Sequence, residues 1–160
     1  MWVESEQGKG SAFYFTLPHE ADASRTEIPE SVKPAEFRSN EGAVVLIAED
    51  DHANYLYTNT VLRLAGVSSL HAVNGAEAVE MCRDYPEIAL VIMDIKMPVM
   101  NGLEATQKIK EFRPELPVIA ITAHAQTGDE QRMIDAGCDA YAAKPVSKNK
   151  LLELFNKFTR

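Results

Sequence analysis

The sequence predicts an α/β fold over residues 42–160: an open, doubly wound, five-stranded parallel sheet with five helices. Three observations carry this. Short runs of Val, Ile, Leu and Ala recur as continuous apolar stretches, as strands buried on both faces require. Each run is followed by a segment whose apolar residues recur at helical spacing. The strand–helix pair occurs five times, which builds a parallel sheet covered on both sides and falls short of a closed eight-stranded barrel.

The first strand is AVVLIA (43–48). The helix after it aligns Ala53, Tyr57, Val61 and Leu64 on one face, and Gly66 supplies its stop. The second strand, SSLHA (68–72), lies at an edge and precedes a helix from about Gly75 to Asp84 that turns Ala76, Val79 and Cys82 to one side. ALVIM (89–93) leads to a helix aligning Ala105, Ile109 and Phe112. VIAI (118–121) precedes a poorly amphipathic helix around 128–136, whose apolar residues are Met133, Ile134 and Ala136. AYAA (140–143) precedes the last helix, with Leu151, Phe155 and Phe158 inward.

Residues 1–18, MWVESEQGKGSAFYFTLP, have the pattern of a strand, a Gly-rich turn and a second strand in which Phe13, Phe15 and Leu17 alternate. A lone two-stranded hairpin is marginal in water, so it is expected to be disordered or to pair its edges with another chain. Gly8-Lys9-Gly10-Ser11 is not a Walker phosphate loop, which needs G-x-x-x-x-G-K-[ST] opening a helix. Residues 19–41 carry Pro29, Pro34, many charges and no periodicity, which is linker composition.

Composition excludes several classes. The 160 residues are 46% apolar, yet no run is long enough to cross a bilayer, and acidic residues stand where a signal peptide would be basic. With 16 basic and 24 acidic residues the net charge is −8, which argues against non-specific nucleic-acid binding. Cys82 and Cys138 form no C-x-x-C and are expected to be buried thiols in a reducing cytosol. Cytoplasmic placement without membrane contact is therefore expected here, although a longer parent is free to be membrane-anchored.

In such sheets ligands bind beyond the carboxyl ends of the strands. The first strand is followed by Glu49, Asp50 and Asp51; the third ends in Asp94, the fourth in Thr122 and the fifth in Lys144-Pro145. The edge strand runs into Asn74-Gly75 and offers nothing comparable. Carboxylates gathered on one rim repel, and a hard divalent cation such as Mg²⁺ relieves that. Thr122 can donate one hydrogen bond, Lys144 adds a compact positive charge, and aspartate is a competent nucleophile toward phosphorus. The set suits phosphoryl transfer, which asks mainly for positioning and charge neutralisation. Asp51, one place beyond the acidic pair, is expected to cap the first helix.

The segments VVLIAEDDHAN, LVIMDIKMPVMNG, VIAITAHA and AYAAKP, in this order and spacing, resemble the receiver domain of two-component signalling. The resemblance spans residues 43 to about 159. It implies a flavodoxin-like sheet of strand order 2-1-3-4-5. It also implies that Asp94 accepts a phosphoryl group from a phosphohistidine, with Mg²⁺ required and Mn²⁺ a substitute. Glu49, Asp50, Asp94 and the backbone carbonyl of Lys96 become the metal set, with Asp50 a direct ligand and Glu49 acting through water. Thr122 and Lys144 contact the phosphoryl oxygens, Lys144-Pro145 takes a cis peptide, and Tyr141 moves as Thr122 is drawn toward the phosphate. The face around the fourth helix and fifth strand would read out the change.

The implied partners are the phosphohistidine of a kinase dimerisation domain, a histidine phosphotransfer domain, or both; a dimer stays open. The chain itself would be a phosphoacceptor with self-catalysed transfer and hydrolysis rather than a turnover enzyme. Residues 2–18 resemble the closing hairpin of a histidine-kinase ATP-binding domain, which implies origin in a hybrid histidine kinase. That family's adenine and phosphate motifs are absent from the sequence. The sequence to Arg160 includes no recognisable effector domain, and relay or feedback on the kinase is the expected output.

His19-Glu20 lies in linker sequence and is not expected to be a phosphorylated His-Glu pair, while His52 and His71 are expected to be solvated or structural. Lys96 and His124 flank the pocket, and this bulky pair is expected to slow loss of the acyl phosphate. Two other classes compete. An aspartyl-phosphate hydrolase needs an acidic residue two places after its nucleophile, where this chain has Lys96. A receiver-like scaffold that is never phosphorylated usually lacks part of the acidic pair, the aspartate or the lysine, and all are present.

Overall fold

The computed structural model describes residues 2–6, 8, 10–14, 44–123 and 129–159. The linker, His19, Phe15, Leu17 and His124 lie outside the described residues. The chain divides into two units, residues 1–35 and 36–160. In the first, β1 (Trp2–Glu6) pairs antiparallel with β2 (Gly10–Tyr14), with Glu6 opposite Gly10. The turn uses left-handed backbone at Gly8 and Gly10 (φ 85° and 99°), which glycine adopts without steric cost. The hairpin is thus formed. Val3 and Tyr14 on it are exposed.

The second unit contains β3 (Val44–Ala48), α1 (His52–Leu64), β4 (Ser68–Ala72), α2 (Gly75–Asp84), β5 (Ile88–Asp94), α3 (Gly102–Phe112), β6 (Val118–Thr122), α4 (Asp129–Asp135), β7 (Ala140–Ala143) and α5 (Lys148–Phe158). The five strands form one parallel sheet in the order β4-β3-β5-β6-β7. Counted within the sheet, that is the expected 2-1-3-4-5, with the second strand at an edge.

Both faces of the sheet are covered, so successive strand residues enter different cores. Val45 and Ile47 of β3 join Leu62, Ile92, Ile121, Leu151 and Phe155 on the side of α1 and α5. Leu46 and Ala48 join Val79, Cys82, Met93, Ala105 and Ile109 on the side of α2 and α3. This two-sided burial explains why the strands are continuous apolar runs.

Helix boundaries follow local chemistry. Asp51, Asn74, Asn101 and Ser147 each accept a backbone N–H three residues on, capping α1, α2, α3 and α5. Gly66 ends α1 at φ 76°, and the next amide, of Val67, returns to Leu62 O at 3.0 Å. Gly102 opens α3 directly against the carbonyl of Asp94, where a Cβ has no room.

Two helix faces differ from the sequence expectation. In α1 the buried residues are Val61 and Leu62, while Ala53, Tyr57 and Leu64 are exposed, Leu64 at 72%. At 100° per residue the expected stripe lies roughly opposite Leu62. The true inward face carries the half-buried Thr58 and Asn59, whose polarity disguised it; Asn59 accepts a hydrogen bond from Ser69 Oγ at 2.8 Å. In α3, Ala105 and Ile109 are buried as expected, but Phe112 is 37% exposed. Its ring instead supports the Arg83 guanidinium, 5.1 Å from the ring centre. In α4, Met133 and Ala136 pack inward and Ile134 faces out. The loop after β5 carries one strained position, Val99, at φ 66° and 86% exposed.

Two outcomes follow. A β-branched side chain in left-handed backbone is strained, and Val99 recovers no burial, so Val99→Gly should stabilise the domain by about 0.5–1 kcal/mol after glycine's own entropy cost. A shift of the urea midpoint to higher concentration checks this. Burial pushes the Cys82 thiol up to about 11, with Arg113 opposing. The fold therefore keeps Cys82 neutral, and that contribution is lost as pH rises from 9 toward 11. At pH 8, alkylation of Cys82 in the native protein should run at least about 100-fold slower than in urea, measured by peptide mass spectrometry.

Candidate functional site

The carboxyl ends of β3, β5, β6 and β7 meet at one rim. Asp94 closes β5, the central strand, and stands opposite Ile121 of β6. Glu49 follows β3, and its N–H donates to Ala72 O at 3.0 Å on the edge strand. Lys144 follows β7, and its N–H donates to Thr122 O at 2.8 Å. The apolar strands therefore deliver two carboxylates and an ammonium to one place through ordinary sheet geometry, and the buried Thr122 ends the strand between those of Asp94 and Lys144.

The contacts are short. Lys144 Nζ lies 2.9 and 2.7 Å from the two oxygens of Glu49 and 2.8 Å from Asp94 Oδ2. Asp94 Oδ1 accepts the backbone N–H of Lys96 at 3.1 Å, while the Lys96 side chain is exposed. Asn54, in the first turn of α1, donates to Glu49 Oε1 at 3.2 Å. Glu49, Asp94 and Thr122 are each only 6% exposed, and Asp50 is open to solvent. Lys144-Pro145 is cis. Tyr141 is half-buried on β7, opposite Ala120. Asp51 serves α1, accepting the Asn54 N–H at 2.9 Å. A cleft of about 590 Å³ leads from this rim past Tyr57 and Thr58 of α1 to Val146, Ser147 and Leu151.

Electrostatics set the character of the site. Burial raises Glu49 above the usual glutamate range, and nearby Asp94 adds to the rise; hydrogen bonds from Lys144 and Asn54 only partly offset it. Ionised Glu49 is therefore a cost to the fold, incurred as pH rises through its raised value. For Lys144, burial works downward, but hydrogen bonds and charge attraction from Asp94 and Glu49 outweigh it and hold the ammonium above its usual range. Its contribution is present below 10.5 and is lost as pH climbs through that raised value.

Carboxylate oxygens of Glu49, Asp50 and Asp94 lie within 4.8 Å of one another. All are hard oxygen donors, two are buried, and one faces solvent. That donor set fits Mg²⁺, which takes one or two carboxylates and keeps several waters.

One contact at the rim is not readable in the sequence, and it is made by a histidine expected to be solvated or structural. His71, on the edge strand that seemed to bring nothing to the rim, places Nε2 2.9 Å from the backbone carbonyl of Glu49. Its ring stacks on Tyr55, with centroids 3.7 Å apart at 11°. The only sequence signal was its place beside Ala72 on a strand adjoining the first. His52, by contrast, is exposed at the start of α1.

Among the described residues no helix is long and apolar enough to cross a membrane. Residues 45–156 match the response regulator receiver domain family. The polar-differentiation response regulator DivK of Brucella anthropi is 36% identical over 118 residues, 71% of this chain and 94% of that protein. The receiver domain of the sensor histidine kinase PA1611 from Pseudomonas aeruginosa, solved with a magnesium ion coordinated in its active-site cleft, is 28% identical at a TM-score of 0.68. That match covers 73% of this chain and 97% of that one. The receiver domain of Ssk1 of Saccharomyces cerevisiae, in complex with the histidine phosphotransfer protein Ypd1, gives 30% identity and a TM-score of 0.65 over 73% of this chain and 86% of that one. With the fold, the strand order and the acidic rim already in place, these matches make this chain a member of the response regulator receiver domain family.

Proposed function

We propose that this domain accepts a phosphoryl group from a phosphohistidine onto Asp94 and relays a two-component signal. The observation that carries the reading is the convergence of Glu49, Asp94 and Lys144, within 2.9 Å contacts at a rim that Thr122 also borders. Asp94 is the nucleophile: its Oδ–P bond forms as the donor's N–P bond breaks, and the departing imidazole takes up a proton. The Lys96 amide, 3.1 Å from Oδ1, orients the carboxylate. Lys144 neutralises charge on the transferring oxygens, and Thr122 donates to one of them.

Glu49, Asp50, Asp94 and the Lys96 carbonyl are the residues that would hold Mg²⁺, which supplies charge neutralisation for the attacking and transferring oxygens. The magnesium of the PA1611 receiver supports this assignment, and Mn²⁺ is the natural substitute. Tyr141 couples the movement of Thr122 to the surface of α4 and β7.

The partner class is a histidine phosphotransfer domain or a kinase dimerisation domain, a reading supported by the Ypd1–Ssk1 complex. Residues 1–18 are taken as the end of a kinase ATP-binding domain, 19–41 as a linker and 42–160 as the receiver, which assigns the parent to the hybrid histidine kinases, working in the cytoplasm. Lys96 and His124, two places after Asp94 and Thr122 in the sequence, slow hydrolysis of the acyl phosphate.

Acetyl phosphate with Mg²⁺ should add one phosphoryl mass to the wild type and none to Asp94→Asn, read by intact-mass spectrometry. Chelation of Mg²⁺ should abolish the adduct. If neither acetyl phosphate nor a phosphohistidine donor yields an adduct on folded protein, the domain is a scaffold.

A further inference from the structure

We infer that His71 is a positioning residue for the acidic pair, acting through the backbone of Glu49. The inference rests on the reading of this rim as a Mg²⁺-dependent phosphoacceptor. The β3–β4 ladder ends at the pair Ala48–Ala72, so Glu49 stands just past the last strand residue of β3. Two consecutive residues of the edge strand nevertheless hold both its backbone polar groups. The Glu49 N–H donates to Ala72 O at 3.0 Å, and the Glu49 carbonyl lies 2.9 Å from His71 Nε2. A carbonyl only accepts, so Nε2 carries the proton and donates.

The ring is itself held from outside. It lies flat on Tyr55, 3.7 Å between centroids and 11° from parallel, and Tyr55 is anchored in the first turn of α1 by its N–H to Asp51 O at 3.0 Å. Edge strand and first helix thereby close on the same carbonyl. The consequence passes beyond Glu49 because a peptide unit is planar. Fixing the Glu49 oxygen fixes the plane that contains Cα of Asp50, and so the direction from which the exposed Asp50 carboxylate reaches the rim. His71 touches no carboxylate oxygen of the metal set; it sets the geometry from which two of them are presented.

A histidine suits the task because it combines a donor at the reach of Nε2 with a flat face for Tyr55. Phenylalanine supplies only the face, and glutamine supplies a donor at similar reach. Partners that orient metal ligands typically contribute about 10-fold to affinity. In a Mg²⁺ titration followed by backbone amide NMR shifts, His71→Phe should bind Mg²⁺ about 10-fold more weakly than the wild type, while melting within a few degrees of it. His71→Gln should recover affinity to within about 3-fold. In the wild type, side-chain ¹⁵N shifts should show the proton on Nε2, a readout that requires no substitution. Wild-type affinity in a folded His71→Phe, failure of His71→Gln to recover, or a neutral ring protonated only on Nδ1 would each overturn the inference. A wild type that does not bind Mg²⁺ would instead refute the functional reading and take this inference with it.

Discussion

The site depends on one ammonium placed between two buried carboxylates. Glu49 and Asp94 sit at the ends of adjacent strands, nearly excluded from water, and carry like charge. The low-dielectric surroundings that make their repulsion costly also make Lys144 effective, at 2.7–2.9 Å from both. Removing one partner from such an arrangement typically costs about 3–5 kcal/mol, because charge is left buried and unpaired. Lys144 comes from β7, two strands away from β5, so its ion pairs tie the sheet's far edge to its centre. In the proposed reaction, what holds the rim together is also what the chemistry would use. A divalent cation at the same carboxylates would take over part of the ammonium's work and free it to meet transferring oxygens.

The opposite side of the rim is held by hydrogen bonds. Asp94 needs little help, since it is still paired with Ile121 of β6 and has Gly102 packed against its carbonyl. Glu49 lies one residue past its strand, where the ladder has run out. Ala72, His71, Tyr55 and Asn54 take over there, from the edge strand and the first turn of α1. The exposed Asp50 inherits its direction from that frame.

Much of this was legible in the sequence because both-face burial leaves a strong signal. The five strands are apolar runs, and the groups that end them are chemically conspicuous, so the rim could be assembled from strand ends alone. Helix starts were equally readable at Asp51, whose carboxylate does cap α1. The failures have local causes. The inward face of α1 includes Thr58 and Asn59, while Tyr57 and Leu64 face out, so a hydrophobic stripe pointed to the wrong side. Phe112 covers a guanidinium rather than the core. His71 was illegible because its role arises from a cross-strand neighbour and a ring stack, neither of which follows from the residues beside it in sequence. Strain at Val99 was hidden too, since nothing in the run of residues around it specifies a positive φ.

The most direct test of the account asks whether the Lys144 ammonium and Mg²⁺ neutralise the same carboxylates. Urea unfolding of the wild type and of Lys144→Met, each with and without saturating Mg²⁺, measures that coupling. If they share the work, Mg²⁺ will stabilise Lys144→Met by about 1 kcal/mol or more beyond its effect on the wild type, recovering part of what the substitution lost. Equal increments in the two proteins would mean that ammonium and cation act on separate groups, and would contradict the account.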